Sequence, residues 1–340
     1  MTSEVFRLYG NCIPVRGARR SLLCDLQKSQ AHFIPNGLFG ILTELAERTV
    51  EEIKTVFDRE CDDIIDEYFD FLIREDYGFF TNEPWKFPPV QLDWDLPGAV
   101  TNAIIDTDRN SDHDYDAILD QLDDLGCQAL QIRCHDQLST DEVRRLVKTT
   151  GRRQLRHLDL ILAYTTDLDL QWLGKLCMDH QWVSRVLVHS SPFDDTKQLV
   201  PLSVYVVFQK ARFNPADCGQ VEIGYFAVNI AHFSEAQSFN TCLNRKISIT
   251  PSGDIKNCPS MLRSLGNVKT TPLADAIKHP SLVRLGSITK DQIEVCRDCE
   301  FRYICTDCRA HTRDYRNPYA KPRGCGYDPY TAAWQKASEC

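Results

Sequence analysis

No C-x3-C-x2-C triplet occurs in this 340-residue chain, although 15 of its residues are cysteine. Three thiolates are therefore nowhere gathered at that spacing. No apolar run approaches the roughly 18 residues of a membrane-spanning helix, so no helical span is expected. A basic surplus is missing too: 39 Lys and Arg face 48 Asp and Glu, a formal charge of −9. Without a concentrated basic face, a general nucleic-acid binder is excluded. H-E-x-x-H, G-x-S-x-G, G-x-G-x-x-G and Walker sequences are all absent, which leaves zincin, hydrolase, dinucleotide and nucleotide-triphosphate readings without a motif. Met1 to Val5 lacks the basic-then-apolar pattern of a secretory signal, so a cytoplasmic location is expected. Thiols kept reduced there are thiols available to metal.

The size calls for two or three domains. In the first ninety residues, Val5 to Leu8, Ser21 to Cys24 and Ala31 to Ile34 read as short strands. Helical spacing follows over Gly37 to Ala46, Val50 to Phe57 and Asp62 to Glu75, then a closing strand over Tyr77 to Phe80. Pro84, Pro88 and Pro89 mark a linker. Strands, three helices and a closing strand predict a winged-helix-like module over residues 1–85. Its charge opposes DNA binding, because Glu44 to Asp70 holds eleven acids against three bases. The module resembles the leader-recognition domains of enzymes that modify ribosomally made peptides. That resemblance implies an extended peptide paired along the edge of a three-stranded sheet. Gly17, Arg19 and Arg20 lie near the expected edge, either as contacts for an acidic leader or as solvated turn residues. A purely structural cap is the competing reading of the whole module.

Beyond Pro97, strand and helix alternate. Strands are expected over Ala99 to Ile105, Ala129 to Arg133, His157 to Leu162, Val183 to Val188, Val204 to Phe208 and Val221 to Phe226. Helices are expected over Tyr115 to Leu125, Thr140 to Val147 and Leu168 to Cys177. Such alternation predicts a parallel sheet, open or rolled into a partial barrel, over residues 97–235. The loop after its first strand, Asp106 to Asp114, contains no cysteine. Asp106, Asp108 and Asp112 are candidate ligands for a hard cation, against routine helix capping by Ser111, Asp112 or Asp114. Cys12, Cys24, Cys61, Cys127, Cys134 and Cys177 match no ligand spacing and read as buried structural thiols.

Residues 236–340 are different. Cys296-x2-Cys299-x5-Cys305-x2-Cys308 places two close pairs within thirteen residues, and Cys242, Cys258 and Cys325 complete an array of seven. Cysteines two apart can turn both sulfurs to one metal centre. Lys246 to Ile249 reads as a strand turning at Ser252-Gly253-Asp254, a hairpin that brings Cys242 and Cys258 to one end and needs a positive φ at Gly253. Zinc held by Cys296, Cys299, Cys305 and Cys308 is one reading; it leaves the other three cysteines unassigned. Iron-sulfur is the other. Seven bases against four acids between Arg297 and Arg323 suit either centre, since both carry negative charge.

The array resembles the SPASM domain of peptide maturases. By that resemblance Cys296, Cys299, Cys305 and Cys325 ligate one 4Fe-4S cluster, and Cys242, Cys258 and Cys308 supply three ligands to a second. A fourth ligand is usual six residues before the first cysteine. Here that position is Ala236, with Cys218 the nearest upstream thiol. The segments NCIPVRGARRSLLCDL, FNTCLNRKISI, IKNCPSM, KDQIEVCRDCEFRYICTDCRA and KPRGCGYDPY resemble the SPASM-domain peptide maturases of grasp-with-spasm systems. The resemblance implies a ribosomally made precursor peptide and an ATP-grasp ligase as partners, and a radical S-adenosylmethionine-like central fold. Because the triplet that such chemistry requires is missing, the expectation is an accessory peptide maturase with no catalytic residue rather than an active radical enzyme. An iron-sulfur redox enzyme and a zinc-stabilised scaffold are the alternatives. Arg302, Tyr303, His311 and Tyr327 surround the cysteines, as walls of a peptide channel or as packing about the centre.

Overall fold

The computed structural model describes residues 4–151, 154–200, 202–215 and 218–335. They form two compact units. One comprises Met1–Asp95, Gly219–Thr241 and Ser287–Cys340; the other comprises Leu96–Cys218 and Cys242–Gly286.

The first unit opens with strands β1 (Val5–Leu8), β2 (Cys12–Val15), β3 (Ser21–Asp25) and β4 (Gln30–Ile34). Helices α1 (Asn36–Glu44), α2 (Val50–Val56) and α3 (Asp62–Arg74) follow, then β5 (Gly78–Thr81). A capping box between Thr49 and Glu52 starts α2 and satisfies donors that the first helical turn leaves open. In α3, Ile65, Phe69 and Leu72 recur at helical spacing and are buried.

β1 pairs antiparallel with β5, and β2-β3-β4 form a separate antiparallel sheet. Every residue of β3 is buried, so both faces of this sheet are covered. Cys12, Leu23 and Ile34 face the helices, in a core with Ile41, Phe69 and Leu72. Val15, Leu22 and Cys24 face the other way, in a core with Phe301, Ile304 and Cys305. β2 escaped the sequence reading because Pro14 lacks an N–H and argues against a strand; the proline is tolerated because β2 is an edge.

In the second unit, β6 (Asn102–Thr107), α4 (Tyr115–Asp124), β7 (Ala129–Cys134), α5 (Thr140–Thr150), β8 (His157–Ala163), α6 (Leu170–Asp179) and β9 (Val183–His189) alternate as expected. β10 (Asp195–Leu199) and β11 (Val204–Phe208) continue the sheet. Helix α7 (Ile230–Ser238) belongs to the first unit. β12 (Lys246–Ile249) and β13 (Ile255–Lys256) return to the sheet, followed by α8 (Leu273–Ala276) and α9 (Pro280–Gly286). The order is β10-β11-β9-β8-β7-β6-β12-β13, with only the outermost strand at each end antiparallel to its neighbour. The strands β6 to β9, laid side by side in chain order and joined through α4, α5 and α6, give the order of a partial (β/α) barrel within a mixed α/β sheet.

One expected strand is corrected. Val221 to Phe226 contains only a bridge from Val221 to Cys325 and a 3-10 turn at Ile223–Tyr225. The alternation Val221, Ile223, Tyr225 imitates a strand, but Ile223 and Tyr225 are exposed and the segment belongs to the first unit. Among the described residues no helix is long and apolar enough to cross a membrane.

Candidate functional site

In the first unit, Cys296 opens a 3-10 turn, and Cys296, Cys299, Cys305 and Cys325 line one small cavity together with Lys290, Phe301 and Tyr327. Burial pushes the Cys296 thiol up to about 11 and raises Cys299 and Cys305 as well. The Lys290 side chain is buried, and its Nζ donates to Cys305 Sγ at 3.3 Å and to the Thr306 carbonyl at 3.4 Å. Burial opposes that charge, yet Cys305, Asp307 and Cys296 outweigh it and raise the lysine. A buried cation among four thiols suits a centre that carries net negative charge.

Among the described residues no three His, Cys, Asp or Glu side chains meet closely enough to hold a single ion. Four cysteines lining one cavity are the soft donor set that either a zinc ion or an iron-sulfur cluster takes.

Cys308 does not line this cavity. Its Sγ lies against Gly219, where an added Cβ would sit 2.9 Å from the sulfur and where φ is +88°. Gly219→Ala is therefore expected to displace Cys308 and to cost about 1–3 kcal/mol in chemical denaturation of the purified chain. Asn240 donates to Asp307 at 2.6 Å, and Asp307 is also paired with buried Arg309.

In the second unit, Cys242 and Cys258 flank the β12–β13 hairpin. Gly253 has φ +84°, the conformation that the turn required. Asn257 donates from Nδ2 to the Leu243 carbonyl at 3.0 Å and the Lys246 carbonyl at 2.7 Å, tying the two cysteine-bearing ends together. Ala236 is buried in α7 and offers no ligand atom. Cys218 is exposed, in a turn whose Pro215 carbonyl accepts from Ser260 Oγ at 3.3 Å, two residues beyond Cys258.

Several residues outside the array hold its surroundings in place. The β2–β3 turn docks on the cysteine-bearing segment: Ala18 N–H donates to the Asp298 carbonyl at 2.8 Å. Arg20 donates to the fully buried Glu300 at 2.9 Å and to the Tyr327 hydroxyl at 3.3 Å, while its guanidinium stacks 3.4 Å from the Phe33 ring centroid on β4. Arg20 and Gly17 are thus committed to internal contacts rather than presented to a leader. A Cβ on Gly17 would lie 2.3 Å from the Arg20 carbonyl and 2.9 Å from Glu300 Cβ. Gly17→Val should accordingly lift the turn from the cysteine segment and cost about 1–3 kcal/mol in a denaturation midpoint.

Arg302 bonds to Asp291 and to the Arg16 and Cys299 carbonyls, Tyr303 bonds to Asp291, and the Tyr327 hydroxyl donates to Glu300. These contacts brace the segment that carries the cysteines, and Arg302 and Tyr327 also line the cavity. The His311 Nε2 is buried with no hydrogen-bond partner. Lys290, Glu300 and the Arg20–Phe33 stack carried no motif; a lone lysine or glutamate near cysteines is common, and only the fold buries them.

The proposed hard-cation set does not assemble. Asp106 is buried 3.8 Å from both Arg133 and His135, Asp108 accepts from the Asn110 N–H and Ser111 hydroxyl of its own loop, and Asp112 pairs with Lys269. Asp114 caps α4, accepting from Ala117 N–H at 3.0 Å. Capping and local pairing consume these carboxylates. The reading of buried structural thiols holds for Cys12, Cys24, Cys127, Cys134 and Cys177, with Cys61 only half-buried. Burial pushes the first four up to about 12 and Cys177 up to about 11, which keeps them protonated and unreactive at neutral pH.

Residues 241–300 match the model of the SPASM iron-sulfur cluster-binding domain. No curated protein matches the chain. Two solved structures of Streptococcus suis SuiB are similar to it at 11% identity and a TM-score of 0.37. The one bound to S-adenosylmethionine aligns over 95% of this chain and 98% of SuiB. The one bound to the precursor peptide SuiA aligns over 94% and 97%.

Proposed function

We propose that this protein is an accessory peptide maturase of the grasp-with-spasm kind: it binds a ribosomally made precursor peptide in the cytoplasm and assists an ATP-grasp ligase. Residues 1–85 act as a winged-helix-like leader-recognition module, 97–235 as a degenerate radical S-adenosylmethionine-like domain, and 236–340 as the cluster domain. Cys296, Cys299, Cys305 and Cys325 would hold one 4Fe-4S cluster. Cys242, Cys258 and Cys308 would contribute to a second, with Cys218 in the place that Ala236 leaves. Such a cluster, when bound, would supply cross-linking of the segment and an electron store.

The observation that carries the reading is the free edge of β4. Pro14 pairs opposite Leu23 without an N–H, so Leu22 and Cys24 bond to β2, and Ser21, Leu23 and Asp25 bond to β4. Ala31 and Phe33 are then left with outward-facing N–H and C=O groups. Neither bonds to a further strand among the described residues. The β2 edge is poorly suited to pairing, because Pro14 offers no donor there. β4 is the edge at which an extended peptide can add a strand, with Phe33 half-exposed beside it.

The ligase reaction tests this role. Conversion of the precursor by its ATP-grasp partner should rise at least tenfold when the full chain is added; an unchanged rate overturns the accessory reading. Anaerobically prepared protein should also release no 5′-deoxyadenosine from S-adenosylmethionine and dithionite above a protein-free blank. Cluster-dependent release would favour the enzyme reading.

A further inference from the structure

The parallel strands β7, β8 and β9 of the second unit run out into one open crevice of about 610 Å³. Its walls include Arg109, His135, Asp136, His189, Ser190 and Arg212. Ligands of parallel α/β sheets bind beyond the carboxyl ends of the strands, where the connecting loops converge. His135 and Ser190 are the first residues past β7 and β9.

The acidic loop seen in the sequence makes this end of the sheet look negative, and the fold reverses that impression. Asp108, Asp112 and Asp114 are spent on turns, a lysine and a helix cap. Asp136 is the one carboxylate among the described lining residues. Arg109 neutralises it, donating from its backbone N–H at 2.9 Å, Nε at 3.3 Å and Nη2 at 3.1 Å. Arg212 then sets the local charge, which reaches both Asp136 and His189.

Behind His135 lies buried Asp106, with Oδ2 3.8 Å from the imidazole Nε2 and Oδ1 without a hydrogen-bond partner. His189 is buried as well. Its Nε2 lies 3.2 Å from the Cys134 carbonyl, which fixes the proton there and leaves Nδ1 to accept from Ser190 Oγ at 3.0 Å. Ser190 holds φ +57°, a left-handed conformation that a serine adopts at a cost and that is concentrated at ligand sites.

We propose that this crevice binds the side-chain carboxylate of an acidic residue in the precursor peptide, between Arg212 and His135, with Arg109 cancelling Asp136. The proposal rests on the peptide-binding function given above for its substrate class. A carboxylate suits the site better than a phosphate, because no glycine-rich loop is present to wrap one. Charge-assisted hydrogen bonds from a guanidinium supply both affinity and choice.

The test uses the full chain and follows the histidine rings by proton–carbon correlation spectroscopy during titration with Ac-Gly-Glu-Gly-NH2. The glutamyl peptide should shift His135 and His189 and bind about tenfold more tightly than Ac-Gly-Gln-Gly-NH2. Arg212→Gln should remove that preference, and Asp136→Asn should strengthen binding. Equal binding of the two peptides, an unchanged preference in Arg212→Gln, or tighter binding of sodium phosphate than of the glutamyl peptide overturns the proposal. Precursor binding to the full chain that survives any of these results leaves the peptide-binding function standing and rejects the crevice alone. Shifts with the glutamyl peptide but no precursor affinity do the reverse.

Discussion

Cys305→Ser is expected to lower the iron content of anaerobically purified protein by about four atoms per chain, the complement of one 4Fe-4S cluster. Cys305 lies in the cavity with Cys296, Cys299 and Cys325, and receives the Lys290 hydrogen bond. Losing the thiolate should leave the buried lysine facing a weaker partner and remove the cross-link that joins four separated positions. Ligation is folding free energy in small metal-stabilised segments, so the thermal midpoint should fall as well. Cys177→Ala supplies the control: its thiol is buried in α6, far in sequence from the array, and its replacement should leave iron unchanged. Stoichiometric zinc in place of iron would reject the cluster assignment.

Ala31→Pro is expected to weaken precursor binding at least tenfold. The substitution removes an outward N–H from the free edge of β4 without touching the bonds that β4 makes to β3, and an edge strand tolerates proline. One lost backbone hydrogen bond and the steric block of its neighbour together exceed about 1.4 kcal/mol, the tenfold threshold. Phe33→Ala provides a second variant that keeps the backbone donor; it should weaken binding less. Titration calorimetry of both variants against the precursor reads the difference. Equal affinity for wild type and Ala31→Pro would move the peptide away from β4.

Local patterning made most elements of the fold legible. α2 and α3, the alternating β6 to β9 series and the β12–β13 hairpin all follow from periodicity, capping residues and one positive-φ glycine. β2 was hidden by Pro14, and Val221 to Phe226 misled because alternation does not say which side chains find a core. The cysteine spacing announced metal chemistry, and the domain match over residues 241–300 agrees with it. What spacing cannot give is long-range charge pairing. Lys290, Glu300 and Arg20 are single residues that become informative only when the chain brings Arg20 to Glu300, 280 positions away. The basic crevice was obscured for the same reason, since the acids near it in sequence are spent in local contacts and its cations come from separate loops.

Arg20 also connects β4 to the cysteine segment within the first unit. It touches Phe33 on the β4 edge and Glu300 between Cys299 and Cys305, so disorder in the cysteine loop should reach β4. Calorimetric titration of the precursor into cluster-loaded and chelator-stripped full chain tests this directly. Saturable binding to the loaded protein and at least tenfold weaker binding to the stripped protein are expected. No binding to either form would contradict this.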